Sequence, residues 1–372
     1  MKPLVIASEV DDLGRDNGSW SCASAGTALA SAAAACERGD AASASTLFGS
    51  AVVLLANAAS SEHRTLDELH DRSGKEHRLV ATREMCQLVE DALVYDTYFG
   101  LRRVTCSSAA EQAIAAEAVL CDLARHLPVL LLTLDAKAAL ASFAARTLGT
   151  CEDAAGAPDE SACARSEQVV TLGVRERWKL GHLIYCLANR AAASGIERVV
   201  DALAAGDEQY ACRLLNQATR DLEAASASME LAASCTAWEY CGQVRPTMHP
   251  PALEVALSGG LNADHRALRQ AMSRLCVSLG ETFSDLSDRS LELALARDGL
   301  LHADLSDLER HIVLTLRLVG SRPALDEPDE ESAVQSLRAL YLRRMLRYST
   351  MLRQGQLAKR GDSDEAITTP QA

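Results

Sequence analysis

His311 is the residue of this chain best placed by its spacing to bind a metal. It lies in the segment Asp307-Leu-Glu-Arg-His311-Ile-Val-Leu-Thr-Leu-Arg-Leu-Val-Gly320, where Leu314, Thr315 and Leu318 share its helical face. A neutral imidazole is a suitable iron ligand, and Asp307, one turn earlier, is a candidate acceptor for the second ring nitrogen. A core histidine that donates to a carbonyl is the alternative interpretation of the same pattern.

Arg245 is the second residue whose type and position suggest chemistry. It stands directly before Pro246, at the end of a long helical pattern. Its planar guanidinium suits a carboxylate, because it can donate two parallel charge-assisted hydrogen bonds. An ion pair with Glu239 or Glu254 would explain the same arginine without a ligand.

The composition predicts that helices position these residues. The chain has 372 residues, of which 48% are hydrophobic and only 4% aromatic. Its apolar content is mostly Ala, Leu and Val, which favours close helix packing. We therefore expect an all-α fold, in which a large helical domain with a pocket between its helices follows an Ala-rich helical N-terminal region.

Changes in composition suggest where the chain divides. Residues 1–150 form the Ala-rich region, with helical patterns at 25–38, 42–59, 82–100, 108–126 and 130–148. Residues 151–167 are rich in Asp, Glu, Gly, Pro and Ser and predict a surface connection. The second domain spans residues 168–352, with helices expected at 172–193, 197–205, 208–240, 264–279, 284–296, 305–318 and 332–352. A disordered tail, 353–372, follows.

Charge and cysteine content exclude several classes of protein. The formal net charge is −14, and the one basic cluster, residues 338–347, has the spacing of a solvated helix face, so we expect no nucleic-acid partner. The twelve cysteines form no CxxC pair, which is typical of a reducing compartment. No apolar run approaches the roughly 20 residues of a membrane helix, and none predicts a secretory signal. We expect a cytoplasmic protein with no membrane partner and a possible homo-oligomer.

Three segments of the second half resemble, in order, the haem-dependent tryptophan 2,3-dioxygenase and indoleamine 2,3-dioxygenase superfamily. Glu176-Arg-Trp178-Lys is similar to the family's Glu-Leu-Trp-Phe-Lys helix on the distal side of the haem. Trp238-Glu-Tyr240-Cys-Gly-Gln-Val-Arg245-Pro is similar to its Phe-x-x-x-Arg-Pro segment. Arg310-His311-Ile-Val-Leu-Thr-Leu-Arg-Leu-Val-Gly320 resembles the proximal helix. The monodechloroaminopyrrolnitrin synthase branch is the nearest in appearance, and residues 1–150 are not covered.

The resemblance implies a role for each of four residues. His311 would be the proximal ligand of a haem b iron, and Trp178 would line the distal haem pocket. Arg245 would bind the carboxylate of an amino-acid substrate, with Trp178 and Tyr240 beside that substrate. No catalytic acid or base is assigned, because Leu172 stands where the tryptophan dioxygenases have a distal histidine.

The function expected from this resemblance is a haem b oxygenase of secondary metabolism. It would act on a free aromatic L-amino acid, tryptophan-like or tyrosine, with O2 or peroxide. Two alternatives remain open at this point: a non-haem iron oxidase, which would need facing carboxylate and histidine pairs, and a non-catalytic helical interaction protein.

Overall fold

The computed structural model describes residues 4–10, 23–51, 54, 93–106, 116, 119–120, 122–149, 172–320, 322–323, 325 and 332–353. Helices dominate these residues, so the predicted all-α class is confirmed. The helices with defined bounds are α1 (Ala23–Glu37), α2 (Leu134–Leu148), α3 (Val174–Ala204), α4 (Glu208–Ala232), α5 (Ala263–Ser278), α6 (Phe283–Arg289), α7 (Leu291–Val319) and α8 (Ala333–Tyr348). Residues 41–51 and 93–99 are also helical.

Within the described residues, a small sheet departs from the purely helical architecture. Strand β1 (Leu4–Val10) pairs in parallel with β2 (Leu101–Cys106), with Leu4 opposite Leu101. The predicted all-α fold contained no strand. The segment Leu101-Arg-Arg-Val-Thr-Cys106 was not recognised as one, because it comes directly after a helical pattern that ends at Gly100, whose φ is +71°.

Helices α3 and α4 pack along each other and approach closely at Gly181. A Cβ added at Gly181 would lie 2.5 Å from the carbonyl oxygen of Ser228 and 2.6 Å from the Cβ of Ala232. Only glycine allows the two backbones to approach this closely. Farther along α3, a Cβ at Gly195 would meet only the Cβ of Ala218, at 3.7 Å.

Two clusters of buried apolar side chains lie along this helix pair. The first joins α1, α2, the first half of α3 and the second half of α4. The second joins the second half of α3 to the first half of α4, α5 and α7. Residues from both sides of the predicted connection at 151–167 share the first cluster, while the connection and the tail from 354 lie outside the described residues. The division into domains stays a prediction.

Helix α3 is longer than the sequence pattern predicted. The expected break between residues 193 and 197 is absent, and one helix continues through Gly195. Ile196, Val199 and Ala202 continue the buried face. Their burial outweighs the cost of about 1 kcal/mol that a glycine brings to a helix interior.

The predicted boundaries of α4 were also wrong at its end. The helix stops at Ala232, and a new turn begins at Thr236, whose side chain forms a capping box with Glu239. A residue before proline usually leaves the α region, but the φ of −51° and ψ of −43° at Arg245 are helical. Pro246 lies in the first turn of a 3-10 helix, Arg245–Met248, where its missing N–H costs little.

A buried arginine holds the end of α8 against α7. Arg297 is 0% exposed, and its guanidinium donates to the carbonyl oxygens of Leu279, Glu281 and Met351, all within 2.8 Å. The next residue, Asp298, accepts a hydrogen bond of 2.9 Å from the backbone N–H of Arg353. The expected gap in the helix at 297–304 is absent because these polar side chains find partners inside the fold.

Candidate active site

One cavity of about 570 Å³ brings together all four residues that the sequence singled out. Trp178 comes from α3, Tyr240 and Arg245 come from the turns after α4, and His311 comes from α7. The volume lies within the range of small-molecule sites in proteins. Leu257, Ser258, Gly259 and Gly260, from the segment between α4 and α5, also line the cavity.

Uncharged side chains form one side of the cavity, and we name Trp178, His182, Tyr240, Met248 and Leu257 the neutral wall. All five are buried. The Trp178 ring lies 5.4 Å from the Tyr240 ring and 4.2 Å from the imidazole of His182, measured between centroids. Burial raises the pKa of Tyr240 to about 12, so its hydroxyl keeps its proton at neutral pH.

His182 is held tightly within the neutral wall. Its ring stacks on Phe99 with centroids 4.7 Å apart and an angle of 13° between the planes. Its Nδ1 lies 2.9 Å from the carbonyl oxygen of Trp178. Burial lowers the pKa of His182 to about 4, so its imidazole is neutral at pH 7.

Arg245 reaches the edge of the neutral wall through an unusual turn. After the turn Ala237–Glu239 the backbone widens into a π-helical turn, Tyr240–Val244, and the Arg245 N–H donates to the Tyr240 carbonyl. Such turns often mark functional sites. The Nη2 of Arg245 donates to the carbonyl oxygen of Pro323 at 2.9 Å.

The alternative explanation of Arg245 as half of an ion pair is not supported. Glu239 accepts hydrogen bonds from the Thr236 N–H and hydroxyl, at 2.8 and 2.9 Å. Within the described residues, neither Glu239 nor Glu254 forms an ion pair with Arg245. The remaining nitrogens of the guanidinium are therefore available to a ligand.

Ionisable side chains line another part of the cavity. We name Asp307, His311, Arg343 and Arg344 the charged wall. His311 Nδ1 lies 4.0 Å from Asp307 Oδ2, across one turn of α7. The other carboxylate oxygen, Oδ1, is buried and has no hydrogen-bond partner in the described part of the chain. Burial raises the pKa of Asp307, and the neighbouring His311 opposes that rise.

A buried ion-pair network supports the charged wall from behind. Asp304 binds Arg269 through two hydrogen bonds of 2.6 and 3.0 Å and Arg344 through one of 3.1 Å. The hydroxyl of Tyr348 donates to it at 2.9 Å. Burial alone would raise the pKa of Asp304, but the two guanidiniums and these hydrogen bonds lower it to about 2.

The basic cluster at 338–347 was predicted to be a solvated helix face, and the prediction is correct for only some of its arginines. Arg338 and Arg347 are exposed. Arg344 pairs with the buried Asp304, however, and Arg343 is an exposed residue that lines the cavity. The helical spacing of the arginines is the same in both cases, so the spacing alone did not distinguish them.

Sequence reasoning missed two cavity histidines, His182 and His265. Burial lowers the pKa of His265 to about 3, and its ring lies 6.3 Å from that of Tyr185, which is itself 6.0 Å from the ring of His311. A signal for His182 was present: it follows Trp178 by four residues and shares its helical face. No comparable pattern marks His265.

The donor set of the cavity suits a haem group. His311 can offer one nitrogen to iron while Asp307 orients the other, and the orphaned carboxylate oxygen of Asp307 is consistent with such a partnership. Across the described ranges no cluster of three or more His, Cys, Asp or Glu side chains could hold a metal ion by itself. His311 is the residue of this cavity that would hold a haem iron.

Comparison with known proteins places the chain in a family. Residues 35–294 match the family described as SfmD 3-methyl-L-tyrosine peroxygenase. The match covers more than half of the chain and includes Trp178, Tyr240 and Arg245, but it ends before His311. No curated protein matches, and no solved structure matches.

The family match confirms the predicted relationship at the level of the dioxygenase-like superfamily, and it gives no support to the monodechloroaminopyrrolnitrin synthase branch. Within the described residues, no helix is both long and apolar enough to cross a membrane. The match spans much of the fold and all five residues of the neutral wall. The chain therefore belongs to the SfmD 3-methyl-L-tyrosine peroxygenase family, and it is an oxygenase-type enzyme rather than a non-catalytic interaction protein.

Proposed function

We propose that this protein is a haem b-dependent peroxygenase that hydroxylates or otherwise oxygenates a free phenolic L-amino acid in secondary metabolism, with peroxide as the oxidant. The observation that carries the proposal is the single cavity that joins His311 and Asp307 to Arg245, Trp178 and Tyr240, in a chain of a tyrosine-derivative peroxygenase family. The proposed substrate is therefore tyrosine-like, where the sequence left tryptophan-like and tyrosine substrates open. The proposed oxidant is peroxide, where the sequence left O2 and peroxide open.

His311 is the proposed axial ligand of the iron. Asp307 lies close enough to its Nδ1 to fix the tautomer that leaves Nε2 free for the metal. Haem, when bound, supplies the oxygen-transfer chemistry, and the protein supplies position and surroundings.

Arg343 is the proposed partner of a haem propionate. It lines the cavity from α8, is exposed, and forms no ion pair with another described residue. Its neighbour Arg344 is less suitable, because Asp304 already holds its guanidinium. An arginine with free donors at the rim of a cavity is well suited to a carboxylate.

Arg245 is the proposed partner of the substrate carboxylate. One nitrogen of its guanidinium is bound to the Pro323 carbonyl, which fixes the side chain, and the others remain for a ligand. Trp178 and Tyr240 would pack on the aromatic ring of the substrate and exclude water from it.

A non-haem iron site is the weaker alternative. It requires several carboxylate and histidine ligands on facing helices, and the described residues bring no such group together. Cytoplasmic localisation and homo-oligomerisation stay predictions.

Haemin titration of the purified protein, followed by the Soret absorbance, tests the proposal. His311→Ala is expected to abolish stoichiometric binding, and Asp307→Asn to weaken it about 10–100-fold, because the carboxylate that orients His311 is lost. His249→Ala is the matched control, since His249 is outside the cavity lining. A parent protein without a Soret band, or a His311→Ala protein that binds haemin as well as the parent, would refute the proposal.

A further inference from the structure

His182 has one ring nitrogen committed and one uncommitted. Its Nδ1 lies 2.9 Å from the carbonyl oxygen of Trp178. A carbonyl only accepts hydrogen bonds, so Nδ1 must carry the proton. A neutral imidazole has a single N–H, and Nε2 is therefore a bare acceptor. No hydrogen bond to Nε2 is found within the part of the chain that the structure describes.

The surroundings of His182 keep it in this state. Burial is the main cause of its low pKa, which the hydrogen bond to the Trp178 carbonyl opposes and the nearby His311 lowers further. Among the described residues, no carboxylate contributes to the pKa of His182. Stacking on Phe99 and contact with Trp178 fix the orientation of the ring. The neutral wall thus presents one fixed acceptor within an aromatic surface.

The neutral wall has polar groups at its two ends. Arg245 follows the turn that carries Tyr240, and the rings of Tyr240, Trp178 and His182 are successive neighbours, 5.4 and 4.2 Å apart. A ligand with a carboxylate at one end, an aromatic ring in the middle and an O–H donor at the other end matches this sequence of groups.

We propose that Nε2 of His182 accepts the hydrogen bond of the substrate's phenol hydroxyl, and that His182 thereby makes the cavity select phenolic amino acids over phenylalanine. This inference rests on the proposed function, since it uses the same cavity and the same class of substrate. His182 is one turn from Trp178 and stands on a rigid helix, which is a good foundation for a specificity contact.

The expected selectivity follows from the cost of an unmade hydrogen bond. With phenylalanine or O-methyl-tyrosine bound, Nε2 would be shielded from water without a donor. The affinity for these ligands is therefore expected to be about 10–100-fold lower than for L-tyrosine.

Ligand binding to the haem-loaded protein tests the inference, by calorimetry with L-tyrosine, O-methyl-L-tyrosine and L-phenylalanine. The parent should prefer L-tyrosine by the stated factor. His182→Phe keeps an aromatic ring but has no acceptor, and its preference should fall to about one. His182→Gln should retain part of the preference, because its amide can donate to the Trp178 carbonyl and also accept from a phenol.

His265→Phe is the control, because it removes another imidazole of the same cavity, which is half-buried, and should leave the preference in place. The inference is overturned if His182→Phe binds L-tyrosine and L-phenylalanine in the parental ratio, or if only His265→Phe removes the preference. The parent needs no substitution, so equal affinity for the three ligands also overturns it. Either result leaves haem binding through His311 untouched, whereas a parent without a Soret band would refute the proposed function itself.

Discussion

The neutral wall and the charged wall face the same cavity but are built on different physical grounds. The neutral wall depends on packing: aromatic rings stack, α3 approaches α4 closely, and burial keeps His182 uncharged. The charged wall depends on compensation, because Asp304 is buried only together with two arginines. The comparison indicates that one cavity can combine a neutral hydrogen-bond acceptor with a charged network. The acceptor is kept neutral by packing, and the network is stabilised by ion pairs.

The charged wall is expected to be the more sensitive to a single change. Asp304→Asn removes the charge that compensates Arg269 and Arg344, and loss of one partner from a buried network costs about 3–5 kcal/mol. Urea unfolding monitored by circular dichroism gives the free energy of unfolding and its slope.

Glu197→Gln is the matched control for Asp304. Glu197 pairs with Arg274, but both side chains are about half exposed, so the loss should stay below about 1 kcal/mol. Equal effects of the two substitutions would contradict the distinction between a compensated interior and a solvated surface.

The buried, neutral His182 of the neutral wall should make the free energy of unfolding depend on pH. The pKa of His182 is about 4 in the folded protein and near 6.5 in an unfolded chain, so below pH 6.5 the unfolded state binds more protons. Stability is therefore lost as the pH falls, and His182 should contribute about 2 kcal/mol of that loss between pH 7 and pH 5.

His182→Phe should flatten this dependence by the same amount, measured as free energies of unfolding at the two pH values. His265 contributes with the same sign because its pKa is also lowered, whereas Asp307 acts in the opposite direction because burial raises its pKa. An unchanged pH dependence in His182→Phe would show that His182 is not buried in neutral form.

The smallest expected effects separate two glycines of α3 that face α4. Gly181→Ala places a Cβ 2.5 Å from a carbonyl oxygen and should destabilise the protein by about 1 kcal/mol or more through overpacking. Gly195→Ala meets only an ordinary contact at 3.7 Å and should stabilise it by about 0.5–1 kcal/mol through helix propensity. The midpoint temperatures of thermal unfolding of the two variants test this prediction. A loss of stability in Gly195→Ala would contradict the difference in packing.

The sequence predicted the presence of helices better than it predicted their boundaries. His311 and Asp307 share a helix, so the spacing of four residues was enough to place them together. Arg245 and Trp178 come from distant segments, and their presence in one cavity was available only from the family resemblance. The role of His182 depends on which carbonyl its Nδ1 meets and on the stacking of Phe99, and neither is visible in a linear pattern.

Boundaries failed where tertiary burial outweighed local preference. The predicted break at 193–197 contains Gly195, yet buried side chains beyond it continue the helix. The predicted gap at 297–304 contains Arg297 and Asp304, although both are buried with partners. A charged residue inside a helical pattern can therefore mark a loop or lie buried in a continuous helix. Only the positions of its partners in the fold distinguish the two cases.

The contacts of Arg297 also determine how far the protein can be shortened. Its guanidinium binds the carbonyl of Met351, and Asp298 receives the backbone N–H of Arg353, so a chain that stops after Arg353 keeps each of these hydrogen bonds. A chain that stops at Tyr348 would leave a buried cation short of an acceptor while every cavity residue is still present.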